Sequence, residues 1–212
     1  MHVGAEALAS PGSEGPGLHT RSGDPLLREE PLPVPCPLLL IHNPPMSHIE
    51  HKKLSPAVAH CYILTISDTR TLATDASGRT ICDLLWAEGH QVNGRKVVRD
   101  EPDQVREAIE AQLANADVQV ILTTGGTGIT SRDTTYEAIS GLLEKRLDGF
   151  GELFRMLSYQ EIGSAAMLSR AIGGLAKGKV ILSLPGSEPA VRLAMTKLIL
   201  PELGHLVREA SR

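Results

Sequence analysis

The alternation of two kinds of segment is the feature that most constrains the fold of this chain. After residue 56, short apolar runs rich in β-branched residues alternate with segments in which apolar residues recur every three to four positions. The runs predict strands over 61–66, 92–98, 118–123 and 180–184. The periodic segments predict helices over 77–89, 101–115, 134–145, 150–171 and 191–199. The 118–123 run is apolar on both faces, which is typical of a parallel sheet covered on both sides. We therefore expect an α/β fold, a three-layer α/β/α sandwich with a mostly parallel sheet.

The N-terminal quarter has a different composition. Ten of the 14 prolines lie before residue 57, together with many glycines and serines. Such a segment can propagate neither helices nor strand ladders, so we predict a disordered tail over 1–56 and a folded domain over 57–212. A further hypothesis is that Met46 is the true start and that residues 1–45 are an upstream extension of the reading frame.

Composition and charge exclude several classes of protein. A net charge of −4 argues against a general nucleic-acid binder. No apolar run approaches the ~20 residues of a membrane span, and no secretory signal precedes the domain, so we expect a cytoplasmic protein. The three cysteines form no paired spacing and argue against a disulfide framework or a zinc site. His42, His48 and His51 are irregularly spaced, and we interpret them as solvated side chains rather than metal ligands.

Three loops that follow predicted strands are rich in Gly, Ser and Thr. Parallel strands end at one edge of a sheet, where ligands of open α/β folds bind, and glycine lets backbone N–H groups approach an anion closely. These loops predict an anion-binding site. Its candidate residues are Ser67, Asp68, Thr124, Gly125, Gly126, Thr127, Gly128, Pro185, Gly186 and Ser187. The glycine cluster follows the third strand, unlike a Rossmann fingerprint, and no Lys follows Gly128 as in a Walker A motif.

Two aspartates lie beside these loops, Asp100 after the second strand and Asp133 after the glycines. Both precede predicted helices, so helix capping is one interpretation. The other is that the pair holds Mg²⁺, because a carboxylate beside a phosphate site repels the phosphate unless a divalent cation lies between them. Arg132 is either a charge-neutralising group for a transferring phosphoryl or a surface arginine.

Several ordered motifs together carry a resemblance to a known family. They are ILTISDTRT (63–71), VVRDE (97–101), TTGGTGITSRD (123–133), GFGELFRMLSYQEIGSAAMLSRA (149–171) and LPGS (184–187). From about residue 57 to its end, the chain resembles the molybdenum cofactor biosynthesis protein B / molybdopterin adenylyltransferase family, the MoaB/Mog type.

The resemblance implies a molybdopterin-binding α/β/α fold whose activity is the Mg-ATP-dependent adenylylation of molybdopterin with release of pyrophosphate. It implies catalytic, Mg²⁺-associated roles for Asp100 and Asp133, ligand contacts for Gly125–Gly128 and a wall position for Ser164. It also implies a homotrimer or homohexamer and contact with a molybdenum insertion protein. Two alternatives stay open: a non-catalytic protein that binds or delivers molybdopterin in the same pathway, and an interaction domain with a relic pocket.

The chain departs from the family pattern at Arg99 and Tyr136, where proline is expected, and it ends without the C-terminal extension of some dedicated adenylyltransferases. Asp100, which some shorter members lack, is retained. Both phenylalanines, Phe150 and Phe154, lie in one apolar stripe with Leu153, Met156 and Leu157. We expect this stripe to contribute to an interface of threefold symmetry.

Overall fold

The structure, a computed structural model, describes residues 55–131 and 133–212. Its centre is a six-stranded sheet with the order β2-β1-β3-β6-β5-β4. The strands are β1 (His60–Ile66), β2 (Gln91–Val98), β3 (Val120–Thr124), β4 (Lys145–Arg146), β5 (Ile172–Ala176) and β6 (Lys179–Leu184). The first three strands and β6 run parallel, whereas β5 is antiparallel to both of its neighbours. The predicted mostly parallel sheet is confirmed.

Helices cover both faces of this sheet. They are α1 (Ala76–Ala87), α2 (Pro102–Ala114), α3 (Thr135–Ser140), α4 (Asp148–Ile162), α5 (Glu188–Ala194) and α6 (Leu200–Ala210). Residues of α1, α4, α5 and α6 pack in one apolar cluster, and residues of α2 and α3 pack in another on the other face. The predicted three-layer α/β/α sandwich is confirmed.

The central strand β3 shows why the sheet lies inside the molecule. All five of its residues are buried, and it pairs in parallel with β1 on one side and β6 on the other. Successive side chains of a strand point to opposite faces. Accordingly Leu122 packs in the first apolar cluster and Ile121 in the second. The carboxyl ends of four parallel strands consequently meet at one edge.

Two strands, β4 and β5, were missed by the sequence analysis. The segment of β5 contains two glycines that weaken its strand pattern, and β4 has only two residues. A two-residue turn at Lys177 and Gly178, both with positive φ (49° and 72°), reverses the chain into β6. Two-residue turns of this kind match the twist of antiparallel strands.

The helix boundaries also needed correction. The helix predicted over 134–145 ends at Ser140, because the chain then turns into the short strand β4. The helix predicted over 150–171 is α4 followed by a 3₁₀ helix at Gly163–Leu168. The helix predicted over 191–199 continues through a π-helical segment into α6, with Pro201 in the first turn of α6, where proline is tolerated.

Several predictions fall wholly or partly on residues that the structure does not describe. Outside the described ranges lie the predicted tail, except for Ser55 and Pro56, and also the Met46 start, the three histidines, Cys36 and Arg132. The domain boundary therefore stays a prediction.

Within the described ranges Cys61 and Cys82 are buried free thiols, and burial raises the pKa of Cys61 to about 12. No helix in the described ranges has the length and apolar character needed to cross a membrane.

Candidate functional site

A cleft of about 480 Å³ lies at the edge where the parallel strands end. The loops after β1, β3 and β6 form its walls, and two residues at the end of the 3₁₀ helix, Leu168 and Ser169, complete them. The sheet thus brings most of the predicted binding residues together. The predicted residues that line the cleft are Ser67, Gly125, Gly126, Thr127, Gly128, Asp133, Pro185, Gly186 and Ser187.

Close contact between the strand ends requires glycine in the β3–α3 loop. Gly125 has a φ of 100° and Gly126 a φ of 64°, in the region that side chains rarely adopt. A Cβ on Gly125 would lie 2.1 Å from the carbonyl oxygen of Ile66. The Gly125 N–H donates to the carbonyl of Leu184 at 3.0 Å. The glycine loop (Gly125–Gly128) is therefore held tightly between the ends of β1 and β6.

Asp100 lies behind this loop, 8% exposed. Its carboxylate accepts hydrogen bonds from the hydroxyls of Thr134 at 3.4 Å and Thr135 at 3.3 Å, at the start of α3. Burial raises the pKa of Asp100, and the bonds from these two threonines oppose that rise. The prediction that Asp100 caps the helix after it was wrong, because Glu101 is the N-cap residue of α2. Asp100 instead binds the N-terminus of a different helix.

Asp133 has different surroundings. Its Oδ2 accepts from the backbone N–H of Thr130 at 2.9 Å and from the Thr130 hydroxyl at 2.5 Å. Hydrogen bonding from Thr130 is the main cause that lowers the pKa of Asp133. The capping prediction was wrong here too, since Thr134 is the N-cap residue of α3. Asp133 is therefore a stabilised carboxylate inside a loop that lines the cleft.

The two carboxylates meet at the glycine loop. A Cβ on Gly126 would lie 2.6 Å from Oδ2 of Asp100, and a Cβ on Gly128 would lie 2.6 Å from Oδ2 of Asp133. After burial, the negative charge of Asp133 is one of the causes that raise the pKa of Asp100. Magnesium is commonly held by one or two carboxylates plus phosphate oxygens of the substrate. The pair fits that donor set, although the described residues contain no cluster of three or more acidic, His or Cys side chains.

The sequence analysis missed Arg170, which holds the same loop from the other side. Its guanidinium donates to the carbonyl oxygens of Thr127 at 3.0 Å, of Gly128, and of Asp133 at 3.1 Å. It also lies 5.0 Å from the ring centroid of Tyr136. Arg170 follows the 3₁₀ turn, about 40 residues from its partners, so no local pattern in the sequence reveals this contact.

Arg70 and Ser77 were missed as well. Arg70 lines the cleft and donates to the Ser77 hydroxyl at 3.0 Å, which in turn donates to the carbonyl of Gly186 at 2.7 Å. This chain connects the β1–α1 loop to the β6–α5 loop. Ser187 next to it is the N-cap residue of α5 but makes no side-chain cap, so its exposed hydroxyl can serve a ligand.

Three predicted binding residues do not line the cleft. Thr124 is buried beneath it, where its hydroxyl donates to the carbonyl of Pro185 at 3.0 Å. Asp68 lies beside the cleft and accepts from the backbone N–H of Asp100 at 3.2 Å. Ser164 is exposed within the 3₁₀ helix, and Leu168 and Ser169 occupy the wall instead. The first two contacts are structural supports of the strand-end loops.

A family model described as "Probable molybdopterin binding domain" matches residues 62–205, about two thirds of the chain, and includes every residue of the site described above. The chain belongs to this molybdopterin-binding domain family. It is 56% identical over 168 residues to molybdenum cofactor biosynthesis protein B of Bacillus cereus, covering 79% of this chain and 99% of that protein. It is 48% identical over 165 residues to the protein of the same name from Bacillus subtilis, covering 77% and 97%.

Solved structures of family members show the same fold. A crystal structure of molybdenum cofactor biosynthesis protein B is 56% identical, with a TM-score of 0.72 and coverage of 74% of this chain and 98% of that one. The tungsten cofactor synthesizing protein MoaB from Pyrococcus furiosus is 35% identical, with a TM-score of 0.67 and coverage of 74% and 100%. The resemblance in sequence and the α/β fold are thereby both confirmed.

Proposed function

We propose that this chain acts in molybdenum cofactor biosynthesis as a molybdopterin adenylyltransferase. It would transfer the adenylyl group of Mg-ATP to the terminal phosphate of molybdopterin and release pyrophosphate. The observation that carries the proposal is a glycine loop at a cleft of strand ends, with the carboxylate of Asp133 lining the cleft and that of Asp100 buried behind the loop. The family membership supports the pterin as one ligand.

The transfer needs alignment of two phosphates and neutralisation of their charge. A terminal phosphate oxygen of molybdopterin forms a bond to the α-phosphorus of ATP. The bond from that phosphorus to the oxygen bridging the α- and β-phosphates breaks, and its electron pair leaves with pyrophosphate. No oxidant or further co-reactant is consumed. Holding the reacting atoms in line is the main contribution that a protein makes to such a displacement.

The residues of the cleft suit these tasks. The glycine loop allows close approach of an anion, and the Ser187 hydroxyl and the Arg70 guanidinium add donors on the other walls. Asp100 and Asp133 would hold Mg²⁺, which supplies charge neutralisation at the phosphate oxygens when bound. Arg170 fixes the carbonyl positions of the loop that carries Asp133 and so keeps that carboxylate in place.

Titration of the full chain with molybdopterin, Mg²⁺ and ATP labelled in the α-phosphate tests the proposal. We expect one labelled AMP to be transferred per molybdopterin and one pyrophosphate to be released. Binding of molybdopterin without transfer of label would contradict the enzyme and favour the alternative of a binding or delivery protein. Loss of all pterin binding would favour the interaction domain.

We also propose a homo-oligomer of threefold symmetry, trimer or hexamer, through the outer side of α4. The prediction that Phe154 belongs to the interface was wrong, because Phe154 is fully buried in the core of the subunit. Leu153, Met156 and Ile162 are 47%, 52% and 56% exposed and present the apolar surface instead. Light scattering should give the mass of three or six subunits, and Met156→Asp should lower the mass of the oligomer. Trp86→Asp, which changes an exposed apolar residue on α1, should not lower it.

A further inference from the structure

A second depression lies beside the cleft, between the β1–α1 loop and the carboxyl end of the edge strand β2. Its volume is about 430 Å³, and the loop residues 67–72 and the strand-end residues 95–99 line it. Four of these residues are cationic, namely Arg70, Arg95, Lys96 and Arg99. We call this depression the basic groove.

Hydrogen bonds hold the two walls of the basic groove together. The Ser67 N–H donates to the carbonyl of Val98 at 2.9 Å, and the Arg95 guanidinium donates to the carbonyl of Leu72 at 2.9 Å. The Ser67 hydroxyl accepts from the backbone N–H of Arg70 at 3.2 Å and so fixes the turn that carries Arg70. The groove is therefore a defined part of the fold rather than a set of free surface side chains.

The charges in the groove are not balanced. Arg95 lies 3.8 Å from the buried carboxylate of Asp75, and Asp68 is the acidic residue among those lining the groove. The side chain of Lys96 points to the opposite face of β2 from Arg95 and Arg99, away from the groove. Arg99 is exposed, and within 55–131 and 133–212 its side chain makes no hydrogen bond or ion pair. Arg99 is thus available to an anion.

The groove is continuous with the cleft, because Ser67, Thr69 and Arg70 line both. The carboxylates of the cleft would repel any phosphate not covered by a cation, whereas the groove places cations beyond them. A ligand that carries several phosphates can therefore extend from the glycine loop into the groove. A ligand with a single phosphate would occupy the cleft without reaching the groove.

We propose that the basic groove binds the pyrophosphate end of the nucleotide, and the leaving pyrophosphate after transfer, through Arg70 and Arg99. This inference rests on the proposed function for the identity of the ligand. Cations at this place would stabilise the charge that develops on the leaving group as the bond to the α-phosphorus breaks. They would also make pyrophosphate a product inhibitor that competes with ATP.

Calorimetric titration of the full chain with inorganic pyrophosphate, at constant ionic strength and without ATP, tests the groove directly. Arg99→Gln changes an exposed residue, and the fold should survive it. It should weaken pyrophosphate binding by about tenfold, the scale of a lost hydrogen bond to a charged group. Lys197→Gln removes an exposed cation outside the groove and should leave the affinity unchanged. Orthophosphate affinity should not respond to Arg99→Gln.

Unchanged pyrophosphate affinity in Arg99→Gln would overturn the proposal. An equal loss in Lys197→Gln would also overturn it, because the effect would then come from net charge alone. These outcomes are separable from those of the proposed function. If no AMP transfer occurs but pyrophosphate binding depends on Arg99, the groove proposal stands and the enzyme proposal fails. If transfer occurs and Arg99→Gln keeps the ATP KM and the pyrophosphate affinity, only the groove proposal fails.

Discussion

Asp100 and Asp133 are the same residue type, lie against the same glycine loop and differ in what surrounds them. Asp100 is buried behind the loop and faces two threonine hydroxyls at the start of α3. Asp133 follows the glycine loop in sequence, lines the cleft and accepts two hydrogen bonds from Thr130. Burial raises the pKa of the first, and hydrogen bonding lowers the pKa of the second.

This difference teaches that one residue type can be held in two electrostatic environments at one loop. Hydrogen bonding favours the charged form of Asp133, whereas burial disfavours the charged form of Asp100. Neighbouring titratable groups whose environments separate their pKa values commonly take different roles in a site, and we expect this of the two aspartates. The following variants test whether the two residues differ in this way.

The largest expected effect is that of Asp133→Asn on AMP transfer. Asparagine keeps the size of the side chain but removes the charge, and we expect transfer to fall by about 100-fold or more, the scale of losing one preorganised electrostatic contact. The fold should be kept, because the amide oxygen of asparagine can still accept from the Thr130 N–H. Asp103→Asn, at an exposed position of α2, is the matched control and should retain activity. Full turnover in Asp133→Asn would remove its catalytic role.

Alanine at Gly126, beside Asp100, should cost more stability than alanine at Gly128, beside Asp133. A Cβ on Gly126 meets the Thr135 hydroxyl at 2.1 Å and Asp100 at 2.6 Å, at a φ of 64°. We expect Gly126→Ala to lower the free energy of unfolding by about 1–3 kcal/mol. Gly128 has no positive φ, and the atoms nearest to its Cβ would be those of the Asp133 carboxylate, so Gly128→Ala should lose less stability. Urea unfolding measures both, and equal losses would contradict the difference.

The pH dependence of unfolding should have opposite signs at the two aspartates. The pKa of Asp133 is lower in the folded state, so its contribution to stability is present above its unfolded pKa and is lost as pH falls through its folded pKa. The pKa of Asp100 is higher in the folded state, so its contribution declines as pH rises from its unfolded to its folded value. Comparing Asp133→Asn and Asp100→Asn with the unaltered chain from pH 3 to 7, roughly the carboxyl range, checks both signs.

The smallest expected effect is that of Thr130→Val. It removes the hydroxyl that donates to Asp133 but keeps the backbone donor, and it should cost about 1 kcal/mol of stability. The pKa of Asp133 should rise towards its ordinary value, while that of Asp100 should not follow. NMR titration of the two carboxyl groups measures this. A rise at Asp100 as large as at Asp133 would mean that the two do not titrate in separate environments.

Much of the site followed from local sequence patterns. The strand runs placed the Gly-, Ser- and Thr-rich loops at one edge of a sheet, and nine predicted residues line the cleft there. Arg70 and Arg170 could not be found in this way, because their partners are side chains and carbonyls of other loops. Phe154 shows the converse. The sequence revealed the apolar stripe of its helix, but only the structure showed that Phe154 is on the side that faces the core.

The sequence by itself determined the alternation of strands and helices, the parallel central strands and the residue types of the loops. These depend on side-chain periodicity and backbone freedom, which act over a few neighbouring residues. Only the tertiary structure decided that Asp100 binds a helix 34 residues further along the chain and that β5 runs antiparallel. The physical reason is that strand order and packing bring together groups far apart in sequence, and their burial and hydrogen bonds then set the pKa of each carboxylate.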